Sequence, residues 1–462
     1  MITDLAFASA TDLLNLYRTK KASPVEATAA ALARAEAHQA EHNAFVLIDH
    51  EAALASARAS EARWMKGEAG LVDGVPTTIK DMFLTKGWPT LRGSRTISAD
   101  GPWDEDSPLT ASLRRQGAVL LGKTAQSEFG WKGVTDSPRH GITRNPWNRA
   151  MTPGGSSGGA GVAAALGMGA LHAGGDGGGS IRIPASFCGI FGIKPSFGRV
   201  PNYPAKMPGS ITHAGPMTRT VQDAALMLTV MAAPDARDWR ALPPDARDWR
   251  KGLEDGVRGM RIAFSPTLGF ATVDPEVAAI VARAAARFAE LGAEVEQVDP
   301  DIANPRPAFE LYYTVRFSRL CRLLGEAGCA LLDPGIVALG KSGERFTLQD
   351  ALEADAAREE LGYRMNLFLD RYDLLLTPQM PIAAFEAGLD FPARPGFDSW
   401  FDWSPFTYLF NFTGQPAASV PCGFTEAGLP VGLQVVGPRH HEDKVLRAAR
   451  AFERVAPFRM PG

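Results

Sequence analysis

The sequence predicts an α/β protein in one large domain. Three features carry that reading: short apolar runs that alternate with helical stretches, a complete strand–helix–strand unit over 260–298, and a long glycine, serine and alanine segment between the two halves. Residues 1–66 read as helical, and Ser23-Pro24-Val25-Glu26 supplies a capping serine, a proline at the first helical position and a reciprocal glutamate. From 71 the texture changes to strands at Val75–Ile79 and Ala118–Leu121, the latter after an amphipathic stretch. Residues 153–192 are dominated by glycine, serine and alanine, with a close-packed helix expected over Gly159–Ala173. Met260–Phe264, Pro275–Leu291 capped by Asp274, and Ala293–Val298 form the strand–helix–strand unit. Residues 305–370 read as mixed, charged and helical. Asp373–Leu376 and Val431–Val436 return as buried strands before a closing helix over His441–Arg454.

At 462 residues, with 45% apolar and 21% charged side chains, the chain can bury a large core and is not disordered or collagen-like. Forty-eight basic residues against fifty-one acidic ones leave a net charge of −3, with no basic cluster, which argues against nucleic acid as a partner. Cys188, Cys321, Cys329 and Cys422 form no CxxC pair, so neither a disulfide framework nor a zinc knuckle is expected and a reducing cytoplasm is the simplest home. No basic segment precedes an apolar stretch in MITDLAFASA, and no run is apolar for the eighteen or so residues a membrane helix needs, so no membrane partner is expected. Pro234–Arg240 is copied at Pro244–Arg250, which reads as a solvated loop rather than a repeat fold.

The glycine-rich segment invites two kinds of chemistry. A phosphate loop fails the test, because no GxxxxGK[ST] and no GxGxxG with an acidic partner is present. Acyl transfer fits better. Ser180 follows Gly177, Gly178 and Gly179, whose missing Cβ atoms let successive N–H groups face one concavity, as a developing oxyanion requires. A hydroxyl needs a base. His172, read within the Gly/Ala helix, and His140, in a polar loop, are weak candidates. Lys80 closes the strand Val75–Ile79; burial there would free its amine to accept a proton, although a lysine at a strand end is more often a surface residue. Ser156, within Gly154-Gly155-Ser156-Ser157-Gly158-Gly159, could relay the proton. No HExxH motif or Cys/His ligand spacing is present, so neither a metal nor another cofactor is expected.

Lys80, Gly155–Gly159, Gly178–Ala185 and Cys188–Pro195 closely resemble the amidase signature family, and the match resumes at Leu376-Thr377-Pro378, Phe412–Pro416 and Pro430–Gln434. The resemblance implies a central mixed, mostly parallel, twisted sheet with helices on both faces, a signature core over 71–220 and a variable pocket region over 305–411. It implies Ser180 as nucleophile, Ser156 on a cis peptide bond as relay, and Lys80 as the base that returns the proton to the leaving amine. Gly177, Gly178, Gly179 and Ser180 would donate to the oxyanion, with Ser157 in support and Asp176 and Arg182 bracing the loop as an ion pair. Phe129, Gly130 and Trp131 would line the acyl pocket, with Gln379 a further substrate contact. Where the family usually carries Ile or Thr this chain has Gly177, and where it commonly carries Thr this chain has Gly175, so the resemblance implies either a looser oxyanion nest or more room for substrate.

The reaction so implied is hydrolysis of an aryl amide, anilide or small carboxamide, or of a carbamate or ester, through an acyl-enzyme. Trp88, Phe129, Trp131, Trp400, Phe401 and Trp403 are expected as apolar walls. The alternative is the glutaminase component of a tRNA-dependent amidotransferase, which would call for companion subunits and a polar glutamine pocket. A catalytically dead scaffold is disfavoured by the intact Lys80, Ser156 and Ser180. A homodimer is an expectation that relatives suggest.

Overall fold

Apolar runs with no room for polar backbone must pair, and in the computed structural model, which describes residues 4–204 and 211–461, they do so in one eleven-stranded sheet. The strands in chain order begin with β1 (Phe45–Ile48), β2 (Pro76–Lys80), β3 (Val119–Thr124), β4 (Asp136–Ser137), β5 (Gly141–Ile142) and β6 (Leu171–Asp176). They continue with β7 (Phe191–Lys194), β8 (His213–Thr218), β9 (Arg261–Phe264), β10 (Glu294–Gln297), β11 (Leu374–Pro378), β12 (Ala417–Phe424) and β13 (Pro430–Val436). Spatial order is β1-β3-β2-β6-β8-β7-β12-β13-β11-β9-β10, with β4 and β5 forming a separate hairpin.

The sheet is mixed, as expected. Parallel pairing is confined to the blocks β3-β2-β6 and β11-β9-β10, and the remaining pairings are antiparallel. The parallel share is therefore smaller than the strand–helix texture suggests, because β8, β7, β12 and β13 pair antiparallel through the middle. Side chains alternate across it: Leu374 and Leu376 enter the core beneath the helices Val221–Met231, Pro275–Glu290 and Glu442–Val455, whereas Leu375 enters a second core under the helices Arg306–Cys329 and Leu348–Arg371.

Local signals agree with the structure where caps and periodicity coincide. The box at Ser23 forms, with Ser23 Oγ accepting from Glu26 N–H and the Glu26 carboxylate accepting from Ser23 N–H. Two expectations are corrected. Residues 1–66 are interrupted by β1, which pairs antiparallel with β3 at the sheet edge. The helix expected over Gly159–Ala173 spans Gly158–Ala165, and β6 follows at Leu171. Gly159 explains the tight seat of that helix: a Cβ there would lie 2.4 Å from the Ala44 carbonyl oxygen and 2.5 Å from Ala125 N.

The duplicated heptapeptide splits in two roles. In the second copy Trp249 is buried, whereas Trp239 of the first is 86% exposed and its neighbours Asp238 and Arg240 line a cavity that Ser156 and Ser180 also line.

Candidate active site

Three stretches of backbone converge at the ends of β2 and β6. Every residue of β2 is buried, so Lys80, its last residue, is carried into the interior instead of snorkelling to water. Its ammonium nitrogen lies 2.7 Å from Ser156 Oγ, 2.8 Å from Ser157 Oγ and 3.4 Å from the Gly175 carbonyl. The Gly155–Ser156 peptide bond is cis, as the resemblance implied. Burial pulls the Lys80 pKa down to about 7, against an upward pull from Asp176. Near neutrality a large fraction of the amine is thus uncharged and able to accept a proton. Ser157 is a support: its hydroxyl donates to the Gly175 carbonyl at 3.1 Å and accepts from Gly175 N–H at 3.3 Å.

Ser180 sits between β6 and the helix Arg182–Cys188, and lines the same cavity as Ser156. Its carbonyl accepts from Ser157 N–H at 3.1 Å, which ties the two serine loops together. The loop is braced by a fully buried ion pair in which Arg182 Nε and Nη2 each lie 3.0 Å from an Asp176 oxygen. Asp176 also accepts from Ile181 N–H at 3.1 Å and from Asn411 Nδ2 at 2.8 Å. Burial opposes its ionisation, but Arg182 and these donors outweigh it and hold the carboxyl well below the usual range. Asp176→Asn should therefore cost about 3–5 kcal/mol of stability, the usual penalty for leaving a buried charge unpaired. Urea denaturation measures it, and a loss under about 1 kcal/mol would refute the bracing role.

The oxyanion segment departs from expectation at one position. Gly179 N–H donates to Asp176 Oδ1 at 2.7 Å, so it is committed to the brace. Among the described residues, the N–H groups of Gly177, Gly178 and Ser180 have no partner and are the available donors. Gly178 is held by Thr407 Oγ1, which donates to its carbonyl at 2.5 Å. Gly179 has φ +124°, and a Cβ there would lie 2.7 Å from Thr407 Cβ. No L side chain fits that place.

The cavity, of about 520 Å³, is lined near the serines by Phe129 and Gly130 as expected, on a turn whose Gly130 carbonyl accepts from Tyr313 Oη at 2.9 Å. Trp131 is a correction: it is buried outside the lining, its indole N–H donating to Asp333 at 3.3 Å, because Gly335 leaves room for the ring. Gln379 is another, buried beside β13 at the end of β11, with its main-chain N–H donating to the Gly432 carbonyl. Trp88, Trp400, Phe401 and Trp403 are likewise packed in the core, and the aromatic wall is supplied by Phe83, Phe197, Tyr203, Tyr313 and Phe317. Sequence reading missed these because they come from separate segments of the chain.

Neither histidine candidate lines the cavity that holds Ser156 and Ser180. His172 lies on β6, bonded to Thr78 Oγ1 at 2.9 Å, and burial with the nearby Arg219 pushes its pKa to about 3. His140 lies outside the cavity lining. His38, Glu41 and His42 stand close enough to share a metal ion, at the end of the helix Pro24–His42, but none of them lines the cavity. Among the described residues no helix is long and apolar enough to cross a membrane.

The family model described as Amidase matches residues 26–446. The chain is 36% identical to an acylamidase of Rhodococcus erythropolis, covering 98% of this chain and 97% of that one. It is also 36% identical to a glutamyl-tRNA(Gln) amidotransferase subunit of Myxococcus xanthus, over 95% of each. Among solved structures, a bacterial aryl acylamidase superposes with a TM-score of 0.92 at 33% identity, covering 98% of this chain and 97% of that one. A 6-aminohexanoate cyclic dimer hydrolase gives 0.89 at 28% identity, over 99% of each.

Proposed function

The chain belongs to the amidase signature family and is an amide-cleaving hydrolase, and on that premise we propose that it is a serine amidohydrolase of aryl or small carboxamides working through Ser180, Ser156 and Lys80. The single observation that carries this reading is the buried Lys80 amine, 2.7 Å from Ser156 Oγ in the cavity that Ser180 also lines. In its uncharged form the amine accepts the Ser156 proton while Ser156 accepts that of Ser180, and the Ser180 oxygen attacks the carbonyl carbon. Charge gathers on the carbonyl oxygen, toward which Gly177, Gly178 and Ser180 N–H groups donate; losing one such donor raises the barrier by about 2.7–4 kcal/mol in comparable sites. The proton then returns through Ser156 to the leaving nitrogen, the C–N bond breaks, and an acyl-Ser180 ester remains. Water, activated by the same relay run again, releases the acid and restores the serine.

Aryl amides are favoured because the cavity wall is aromatic and because the named relatives include acylamidases. Carbamates and esters present the same carbonyl geometry. The test is the purified chain alone, offered anilides, primary amides, a carbamate and glutamine. We expect anilide hydrolysis without added subunits; turnover confined to glutamine would favour the amidotransferase reading.

A further inference from the structure

The catalytic reading fixes where the reacting carbonyl lies, and the class of substrate proposed below rests on it. Arg316, on the helix Arg306–Cys329, lines the cavity that holds Ser156 and Ser180. It is 8% exposed, and among the described residues its Nε and Nη1 have no hydrogen-bond partner, while Nη2 meets Thr212 Oγ1 only at 3.5 Å. Other buried arginines of this chain have close partners, although Arg219 Nε is also unbonded among the described residues. Arg182 reaches Asp176 at 3.0 Å, Arg199 reaches Glu442 at 3.3 Å, and Arg219 donates to the carbonyls of Ala6, Ala8, Ala164 and Gly169. Arg316 reaches no carboxylate among the described residues; its guanidinium carbon lies 5.6 Å from the Tyr313 ring centroid.

A guanidinium stays protonated at any working pH, so burying it unpaired is unfavourable unless a counter-charge arrives. The acids on the lining are already engaged. Asp176 belongs to Arg182, and Asp238 accepts from Asn202 N–H at 2.9 Å and Arg240 N–H at 3.0 Å. Arg92 and Arg319 also face the cavity, so its field is positive. Access is open as well: a Cβ on Gly177 would meet only Thr212 Oγ1, at 3.8 Å. The space left by Gly177 thus joins the oxyanion segment to the residue that Arg316 touches.

We propose that Arg316 is a specificity-determining residue that binds a carboxylate carried by the substrate, making amides with one negative charge the preferred class. The planar fork of the guanidinium matches two carboxylate oxygens, which a point charge does not. Glutamine fits less well, since its ammonium would find both lining carboxylates engaged.

The experiment compares succinic mono-4-nitroanilide with the uncharged pentanoic 4-nitroanilide on the full chain. The wild type should favour the charged anilide in kcat/KM. Arg316→Gln should reduce that preference by at least about tenfold, with Arg316→Lys recovering part of it. A parallel fall on both substrates would mark a structural role and overturn the proposal, as would an unchanged preference. Calorimetric binding of both anilides to the Ser180→Ala protein separates recognition from chemistry. Equal affinities overturn the carboxylate site. Tight binding of the charged anilide without wild-type turnover of either would overturn the catalytic reading and leave the carboxylate site standing.

Discussion

Ser180→Ala is expected to lower kcat/KM for the preferred amide by about 10⁴–10⁶-fold while the protein stays folded. One oxygen is removed from a loop whose conformation is set elsewhere: Asp176 and Arg182 hold it from below, Thr407 holds Gly178, and the Ser180 carbonyl keeps its bond from Ser157 N–H. Those contacts survive the substitution, so the thermal midpoint should move little and binding of substrate should persist. Activity within tenfold of wild type would remove Ser180 from the nucleophile role.

Lys80→Met should come next in effect, with a loss of about 10²–10⁴-fold, the range that general-base removal typically gives. Methionine fills the space of the lysine stem without its amine, so the burial that shapes β2 is kept. The pH profile carries the sharper signature. Burial lowers the Lys80 pKa to about 7, so the amine is protonated below that pH and cannot accept a proton. Wild-type kcat/KM should rise tenfold per pH unit on the acid side and level above about 7. In Lys80→Met that limb should vanish. A limb of unchanged position in the variant would assign it to another group.

The proposed catalytic residues were legible because their chemistry is local in sequence and because the motifs around them resemble a known family. Glycines around Ser156 and Ser180 announce a backbone that must bend and donate, and a lysine closing an apolar strand is informative once the strand proves to be interior. Much of the sheet was readable for the same reason, from the apolar runs at β2, β3, β9, β11 and β13. β6 was not, because Leu171–Asp176 has the glycine content of its surroundings and no alternation to mark a strand. The pocket was legible only at Phe129 and Gly130. Trp131 follows them in sequence yet faces away, Trp400 and Phe309 abut Gly178 from the core side, and Trp403 packs over Gly133 and Phe187. Arg316 carried no sequence signal at all, since an arginine in a charged helix is ordinary and only its lack of a partner in the folded chain sets it apart.

The most direct check of proton passage from Ser180 through Ser156 to Lys80 is the rate of fluorophosphonate acylation across pH, with the adduct located by mass spectrometry. A single adduct on Ser180 is expected, forming faster as pH rises through about 7, with a much slower reaction and no such rise in Ser156→Ala. An adduct on another serine, or an acylation rate in Ser156→Ala equal to that of the wild type, would contradict that passage.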